Sequence, residues 1–451
     1  MGAALLYISH AYPRGGGSGS HRTARFARRL SGCGWEVIVL CGPAPAGVAP
    51  HPADPFRVVS VHDPFDRALA GPASRGGKPQ GPSREGPPSR LRRFLRQVCF
   101  IPDPQLFWLP SALSAARRIR RELPVAAILC SGPPFSVFLV GRLLKTLWRV
   151  PLVLDYRDVW LEHPWWPVPA WRRGIETRME RHLLLAADLV VANHEAMLRA
   201  FLERNPRIAD RSIIVPNGFD PDELGPPARP AWRPGERFEF VYAGTLYGPI
   251  ADRSPRSEPL SVQRPVGFFR ALRQLSERRA FGPGGARVVF VGARAGTEEA
   301  ANLMACAHDC GVADMVQVLA RMEKSEVIPI LRRAHILLNI LYYTEAQVAQ
   351  KVYEYLHFEI PILSMLRDSE ANATIVRQAR AGPVVDPADV AGIVTAIERL
   401  VRDYAAGRPP IVNDRSFIDR FDAREQARLL DARLRGLLGR PRDGALRHDR
   451  A

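Results

Sequence analysis

Residues 4–40 read ALLYISHAYPRGGGSGSHRTARFARRLSGCGWEVIVL. The apolar run Ala4–Ser9 predicts a buried strand, and Pro13–Gly19 predicts a glycine-rich loop. A helix is expected from about His21 to Cys33, where Phe26 and Leu30 stand at helical spacing. A second apolar run, Glu36–Leu40, follows. Strand, glycine loop, helix and strand make a βαβ unit, and such units build parallel sheets. The rhythm recurs at Ala126–Cys130, Leu152–Asp155, Leu189–Ala192 and Ile213–Pro216, with helical patterns between most of these runs. The fold class is therefore α/β, and the first domain is expected to end near residue 226.

Four prolines in the ten residues 225–234 read as a linker. Alternation then restarts at Phe238–Ala243, Arg287–Val291, Met315–Leu319, Ile336–Leu341 and Ile360–Ser364. A second α/β domain over 227–405 follows, and then a tail over 406–451 whose amphipathic helix is expected at Ala423–Leu438. Residues 71–90 hold 13 Gly, Pro or Ser, which cannot bury enough apolar surface to order themselves, so they read as a surface insertion. The segment 249–264 is polar and reads as a second insertion.

The chain has 451 residues, long enough for two or three cores. Six cysteines in that length are too few for a disulfide scaffold. The longest apolar stretch, Phe135–Leu154, is broken by Arg142, Lys145 and Arg149, against a membrane span. The start lacks the charged and apolar regions of a signal peptide, so a reduced, cytoplasmic setting is expected. Lys and Arg number 63 against 46 Asp and Glu, a formal charge of +17. Such an excess suits an anionic partner, with arginine filling solvated surface as the competing reading. No zinc finger, aromatic RNA-binding signature or basic-zipper pattern is present, so nucleic acid is not expected.

Six blocks in a fixed order carry a family resemblance. They are residues 7–40, PDPQLFWLP at 102–110, SGPPFSVFLVG at 131–141, PLVLDYRDVW at 151–160, IIVPNGFD at 213–220 and KVYEYLHFEIPIL at 351–363. Over about residues 4–435 the chain resembles GT-B glycosyltransferases of the family-4 type. The resemblance implies two Rossmann-like domains facing across a cleft, with a C-terminal helix crossing back to the first domain. It implies transfer of a sugar from a nucleoside-diphosphate sugar with retention of anomeric configuration.

The resemblance also implies site residues. The glycine loop, with Gly16 and Gly17, would lie against the donor's phosphates, where bare N–H groups near a helix N-terminus suit an anion. VYAGTLY at 241–247, with Gly244 and Thr245, resembles the strand and loop beneath the diphosphate. The arginine expected after it is best matched by Arg264, with Arg253 and Arg256 as alternatives. Lys351 and Glu354 lie three apart on one expected helix. In similar enzymes this Glu accepts hydrogen bonds from the ribose, as a carboxylate can from a vicinal diol. Lys351 would then act as a point charge near the diphosphate. The family's earlier Glu, eight positions before, is Ala346 here, with Glu345 one step off.

Asp155-Tyr-Arg157-Asp158 follows a strand at the edge where open α/β sheets bind ligands. Three charges in four residues are expected outside the core, with an Arg–Asp structural ion pair as the competing reading. In the family reading Arg157 and Asp158 face the acceptor, and Asp158 orients a hydroxyl or takes its proton. Many relatives have His near position 157, a departure here. No Asp-x-Asp motif of the metal-dependent type is read in the sequence, so no essential metal and no other cofactor is expected. Asn217-Gly218 reads as a turn. His194 follows a strand end and reads either as a site residue or as a packing histidine.

Ser89–Phe100 carries Leu91, Phe94, Leu95 and Val98 on one face with four arginines alongside, a basic amphipathic helix that either covers its own domain's core or docks on anionic lipid. Through residues 89–101 the first domain would reach an anionic membrane surface, with a lipid-linked or glycan acceptor at the inner face of the plasma membrane. Two rival readings stand beside this one. One is a GT-B nucleotide-sugar epimerase, and the other is a non-catalytic polyanion-binding scaffold with a degenerate site.

Overall fold

A computed structural model describes residues 2–10, 12, 18–43, 54–62, 100–161, 168–244, 265–292, 298–340, 348–366 and 371–439. The chain divides into two compact units, Met1–Pro216 with Ala423–Ala451, and Asn217–Asp422. The division falls ten residues ahead of the boundary read from the prolines.

The first unit holds β1 (Ala4–Ile8), α1 (Ser18–Gly32), β2 (Glu36–Cys41), β3 (Arg57–Ser60), α2 (Leu109–Glu122), β4 (Val125–Gly132), α3 (Ser136–Trp148), β5 (Leu152–Tyr156), α4 (Ala170–Ala186), β6 (Leu189–Ala192), α5 (Glu195–Arg204) and β7 (Ser212–Ile214). Its sheet runs β3-β2-β1-β4-β5-β6-β7, and every pairing is parallel. Strands β1, β5 and β6 are buried along their whole length, as expected of a parallel sheet covered on both faces. One face packs Leu6, Ile128 and Leu154 with Trp108, Phe138 and Phe201. The other packs Leu5, Tyr7 and Val153 with Phe26, Leu30 and Leu434.

The second unit holds α6 (Pro221–Leu224), β8 (Phe238–Ala243), α7 (Val266–Glu277), β9 (Ala286–Val291), α8 (Glu298–Asp309), β10 (Val316–Leu319), α9 (Lys324–Arg333), β11 (Ile336–Ile340), α10 (Gln350–His357), β12 (Ile362–Met365), α11 (Ala371–Gln378), β13 (Val384–Val385), α12 (Val390–Ala405) and α13 (Arg415–Asp419). Its parallel sheet runs β10-β9-β8-β11-β12-β13. Phe238, Phe240 and Tyr242 face one core and Val241 the other, the period-2 alternation of a strand covered on both sides.

The last helix, α14 (Ala423–Leu438), belongs to the first unit. Its Ala427, Leu430 and Leu434 enter that unit's core, and Asp431 Oδ1 accepts the indole N–H of Trp35 at 2.6 Å. Within the second unit the outgoing and returning chains run side by side, for the Phe219 N–H donates to the Phe421 carbonyl at 3.0 Å.

Two edge strands, β3 and β13, were not legible in the sequence. They are four and two residues long and half exposed, so they lack the apolar run that marks a central strand. The proline-rich segment 225–234 is not a free linker. Trp232 is 5% exposed and joins the second core, its indole N–H donating to the Glu236 carbonyl at 3.0 Å. His335 Nε2 lies 3.4 Å from the Ala231 carbonyl, and His357 Nε2 lies 2.6 Å from the Gly225 carbonyl. Composition reported the prolines but not these anchors, which come from elements more than 100 residues downstream. Residues 71–90 and 249–264 lie outside the described residues, as does 89–101 apart from Phe100 and Ile101.

Candidate functional site

In each sheet the strand order reverses beside the first strand, between β1 and β4 and between β8 and β11. Open α/β sheets bind ligands outside the carboxyl ends of strands at such a switch point. Each unit therefore has one place where functional side chains are expected.

In the second unit that place is the end of β8. Gly244 follows the strand with φ +135°, a conformation that L side chains rarely adopt, and its N–H donates to the Val291 carbonyl at 2.8 Å. Gly292, at φ +109°, ends β9, and a Cβ there would meet the Gly244 carbonyl oxygen at 3.1 Å. The two strand ends can lie this close because neither residue has a side chain. Lys351, in the first turn of α10, points at this glycine. A Cβ on Gly244 would sit 3.4 Å from Lys351 Nζ. The ammonium lies 3.5 Å from the Tyr242 ring centroid and makes no ion pair among the described residues. Desolvation pushes it well below the usual lysine range. α10 is held against the strand by Tyr355, whose hydroxyl accepts the Ala243 N–H at 2.8 Å. The helix start is held by Asn372, whose Oδ1 accepts the Ala349 N–H at 3.0 Å.

Glu354 shares α10 with Lys351 but meets other partners. Its Oε1 accepts from Lys324 Nζ at 2.9 Å and, more weakly, from Gln350 Nε2 at 3.4 Å. Lys324 also donates to Glu223 Oε2 at 2.8 Å, and Gln350 Nε2 donates to the Gly218 carbonyl at 2.6 Å. Burial opposes the charge on Lys324, but the Glu354 and Glu223 carboxylates outweigh it and hold the ammonium above its usual range. The Gly218 turn is thus fastened to the helix bearing Glu354. Lys324 and Gln350 were missed in the sequence. Lys324 opens α9 behind a capping box of Glu323 and Glu326, so it reads as an ordinary exposed first-turn residue.

In the first unit the switch point is lined by a buried polar cluster. Arg22 on α1 is 1% exposed and grips Asp155 with Nη2–Oδ1 at 2.7 Å and Nε–Oδ2 at 3.1 Å. It also donates to the Val215 and Pro216 carbonyls at 2.8 and 2.9 Å. Register places Ser131 of β4 beside Asp155 of β5, and Ser131 Oγ donates to Oδ2 at 2.7 Å. Asp155 is 3% exposed and Arg157 is 8% exposed. The expectation that these charges lie outside the core is corrected for both. The structural ion pair exists, but it joins Asp155 to Arg22 rather than to Arg157. Residues 22 and 155 are too distant in sequence for spacing to reveal the pair.

Arg157 donates from Nη2 to the Pro133 carbonyl, and its own carbonyl accepts from Asn193 Nδ2 at 2.8 Å. Desolvation lowers its pKa, opposed by Asp158 and Asp155. Asp158 is half-buried beside it, and its carboxylate makes no hydrogen bond among the described residues. His194 caps the N-terminus of α5, where its Nδ1 accepts the Met197 N–H at 3.1 Å. In PDPQLFWLP, Trp108 is buried and donates to the Val61 carbonyl at 3.2 Å. Of the expected site residues, Gly16, Gly17, Thr245 and Arg264 lie outside the described residues, as do Glu345, Arg253 and Arg256. Among the described residues no group of three or more His, Cys, Asp or Glu could hold a metal. No helix among them is long and apolar enough to cross a membrane.

Two Rossmann-like α/β units, with the final helix returned to the first, define the GT-B class of fold. Residues 17–218 match a glycosyl transferase 4-like domain, and residues 263–403 match glycosyl transferases group 1. The chain belongs to the glycosyltransferases built from these two domains, the family-4-like, group 1 type. Sucrose-phosphate synthase from Thermosynechococcus elongatus is similar at TM-score 0.63 and 15% identity, covering 96% of this chain and 99% of its own. A glycosyltransferase from Rickettsia africae aligns at TM-score 0.61 and 10% identity, covering 98% and 100%. Anabaena HepE, solved in complex with UDP, aligns at 0.58 and 15%, covering 96% and 100%. At these identities the structures share the fold. No curated protein sequence is significantly similar to the chain.

Proposed function

We propose that this glycosyltransferase moves a sugar from a nucleoside-diphosphate sugar to an acceptor, with retention of anomeric configuration. The observation that carries the reading is Lys351. It is a desolvated ammonium without an ion pair among the described residues, set at the switch point against Gly244. A cation placed so has a natural counterion in the donor diphosphate, and its attraction grows as the leaving group gains charge. Glu354 would accept the ribose hydroxyls, and Gly244 would let the phosphates approach the backbone. The complexes of HepE with UDP and with UDP-glucose support a donor of this class.

The first unit would take the acceptor. Asp158 is the half-buried carboxylate that would orient its hydroxyl, and Arg157 is the fixed cation beside it. With retention, the departing phosphate itself accepts the acceptor proton, so Asp158 acts by orientation. Thr245, Arg264, Gly16 and Gly17 complete the proposed donor set, and no essential metal is proposed. The +17 charge favours a lipid-linked or glycan acceptor at an anionic inner membrane face, with the enzyme cytoplasmic or peripheral and serving cell-surface polysaccharide or glycolipid synthesis.

The test is a thermal-shift panel of UDP, GDP, ADP, TDP and CMP, each with and without Mg²⁺. A ligand at about 100 times its dissociation constant stabilises by roughly 2.7 kcal/mol. A shift confined to one diphosphate, unchanged by Mg²⁺ and lost in Glu354→Ala, is expected. Flat traces for all five on folded protein would overturn the reading.

A further inference from the structure

Glu354 has one oxygen engaged and one open. Lys324 and Gln350 both donate to Oε1, while Oε2 has no hydrogen bond among the described residues. Lys324 is itself held from its other side by Glu223, on the short helix α6. The ammonium therefore bridges α9, α10 and α6, and its position does not depend on one flexible contact. A carboxylate on a helix surface ordinarily samples several rotamers. Here two donors converge on the same oxygen from α9 and from one turn earlier on α10, which leaves a single side of the carboxylate for a ligand.

We propose that Lys324 is a positioning residue for the donor, one that fixes the Glu354 carboxylate so that Oε2 faces the nucleotide's ribose hydroxyls. The inference rests on the reading of Glu354 as the ribose acceptor. Lys324 touches neither the sugar nor the diphosphate in this arrangement and acts through Glu354. Gln350 is the weaker second tether, at 3.4 Å. A lysine gives point donors that can serve two carboxylates at once, the geometry seen here with Glu354 and Glu223.

A purely structural role for Lys324 makes a different prediction. Loss of a staple between helices would lower the melting temperature and weaken all nucleotides alike. Loss of positioning would weaken ribonucleotides and spare their 2′-deoxy forms. The experiment is titration calorimetry of UDP, GDP and ADP against dUDP, dGDP and dADP, on the full-length wild type and on Lys324→Gln, Lys324→Arg and Glu354→Gln. Melting curves accompany each protein.

Wild type is expected to prefer the ribonucleotide of its cognate pair by about tenfold, the worth of one hydrogen bond to a charged group. Glu354→Gln and Lys324→Gln should both bring that ratio close to one. Lys324→Arg should restore part of it, because an arginine can still donate to Oε1. If Glu354→Gln loses the preference and a folded Lys324→Gln keeps it, Lys324 does not position the carboxylate. If Lys324→Gln weakens both members of a pair equally with a lowered melting temperature, the role is structural and the proposal falls. If wild type binds no nucleotide, or Glu354→Gln leaves the preference intact, the donor reading itself fails and takes this proposal with it.

Discussion

Replacing Lys351 with Met separates what the ammonium does for the fold from what it does for a ligand. Met keeps most of the stem's volume, so packing against Tyr242 survives. The apo protein loses a cation–π contact at 3.5 Å, worth about 0.5–2 kcal/mol. It also loses the cost of holding a desolvated charge without a counterion, and the two effects oppose each other. The expected apo change is therefore small, within about 1 kcal/mol, a melting shift of roughly 2–4 °C for a unit of this size. Ligand binding should respond far more. A charge-assisted contact to phosphate is worth about 1.5–3 kcal/mol, so the diphosphate affinity should fall about 10- to 150-fold.

The sign with pH follows from the lowered pKa. Between that lowered value and the ordinary lysine value near 10.4, the unfolded chain binds the extra proton, so apo stability rises with pH across the window. Diphosphate binding runs the other way, because the anion needs the charged ammonium, so affinity falls as pH rises through the free-state value. Calorimetry from neutral to alkaline pH, with chemical denaturation of the apo protein beside it, measures both slopes. Lys351→Met binding within twofold of wild type would refute the reasoning. So would an apo loss above about 3 kcal/mol, which would make Lys351 a stabilising core residue.

Three further outcomes are expected. Asp155→Ala strands the buried Arg22 guanidinium and should cost about 3–5 kcal/mol in denaturant unfolding of the first unit. Trp232→Ala should cost about 3–5 kcal/mol in the second unit, while the exposed Trp171→Ala stays within about 0.5 kcal/mol. Equal effects of the two would mean that segment 225–234 is not part of the second core. His335 Nδ1 accepts the Glu239 N–H at 2.9 Å, and burial lowers its pKa. Its contribution is present above about pH 6.5 and is lost as pH falls toward the lowered value, so stability of the second unit should drop on acidification. His335→Gln should flatten that dependence in pH-resolved melting.

What the sequence determined by itself was the order of elements and the class of fold. Parallel strands buried on both faces are written as largely apolar runs: Ala4–Ile8 is unbroken, while Leu152–Tyr156 and Phe238–Ala243 carry one acid each, Asp155 and Glu239. The amphipathic period of Ala423–Leu438 likewise marked the last helix at its own boundaries. The blocks around Asp155, Gly244 and Lys351 located both strand ends where side chains of interest gather. Tertiary structure alone decided how the charges at the two strand ends are paired. Arg22 meets Asp155 across 133 positions, and Lys324 meets Glu354 across 30. Local spacing carries no information about such pairs, because sheet order and helix packing bring them together. The same reason explains segment 225–234, which composition reads as a linker and which His335, His357 and the second core hold in place. A periodic pattern is set by neighbours along the chain and survives in the sequence, whereas an ion pair or an anchored loop is set by neighbours in space.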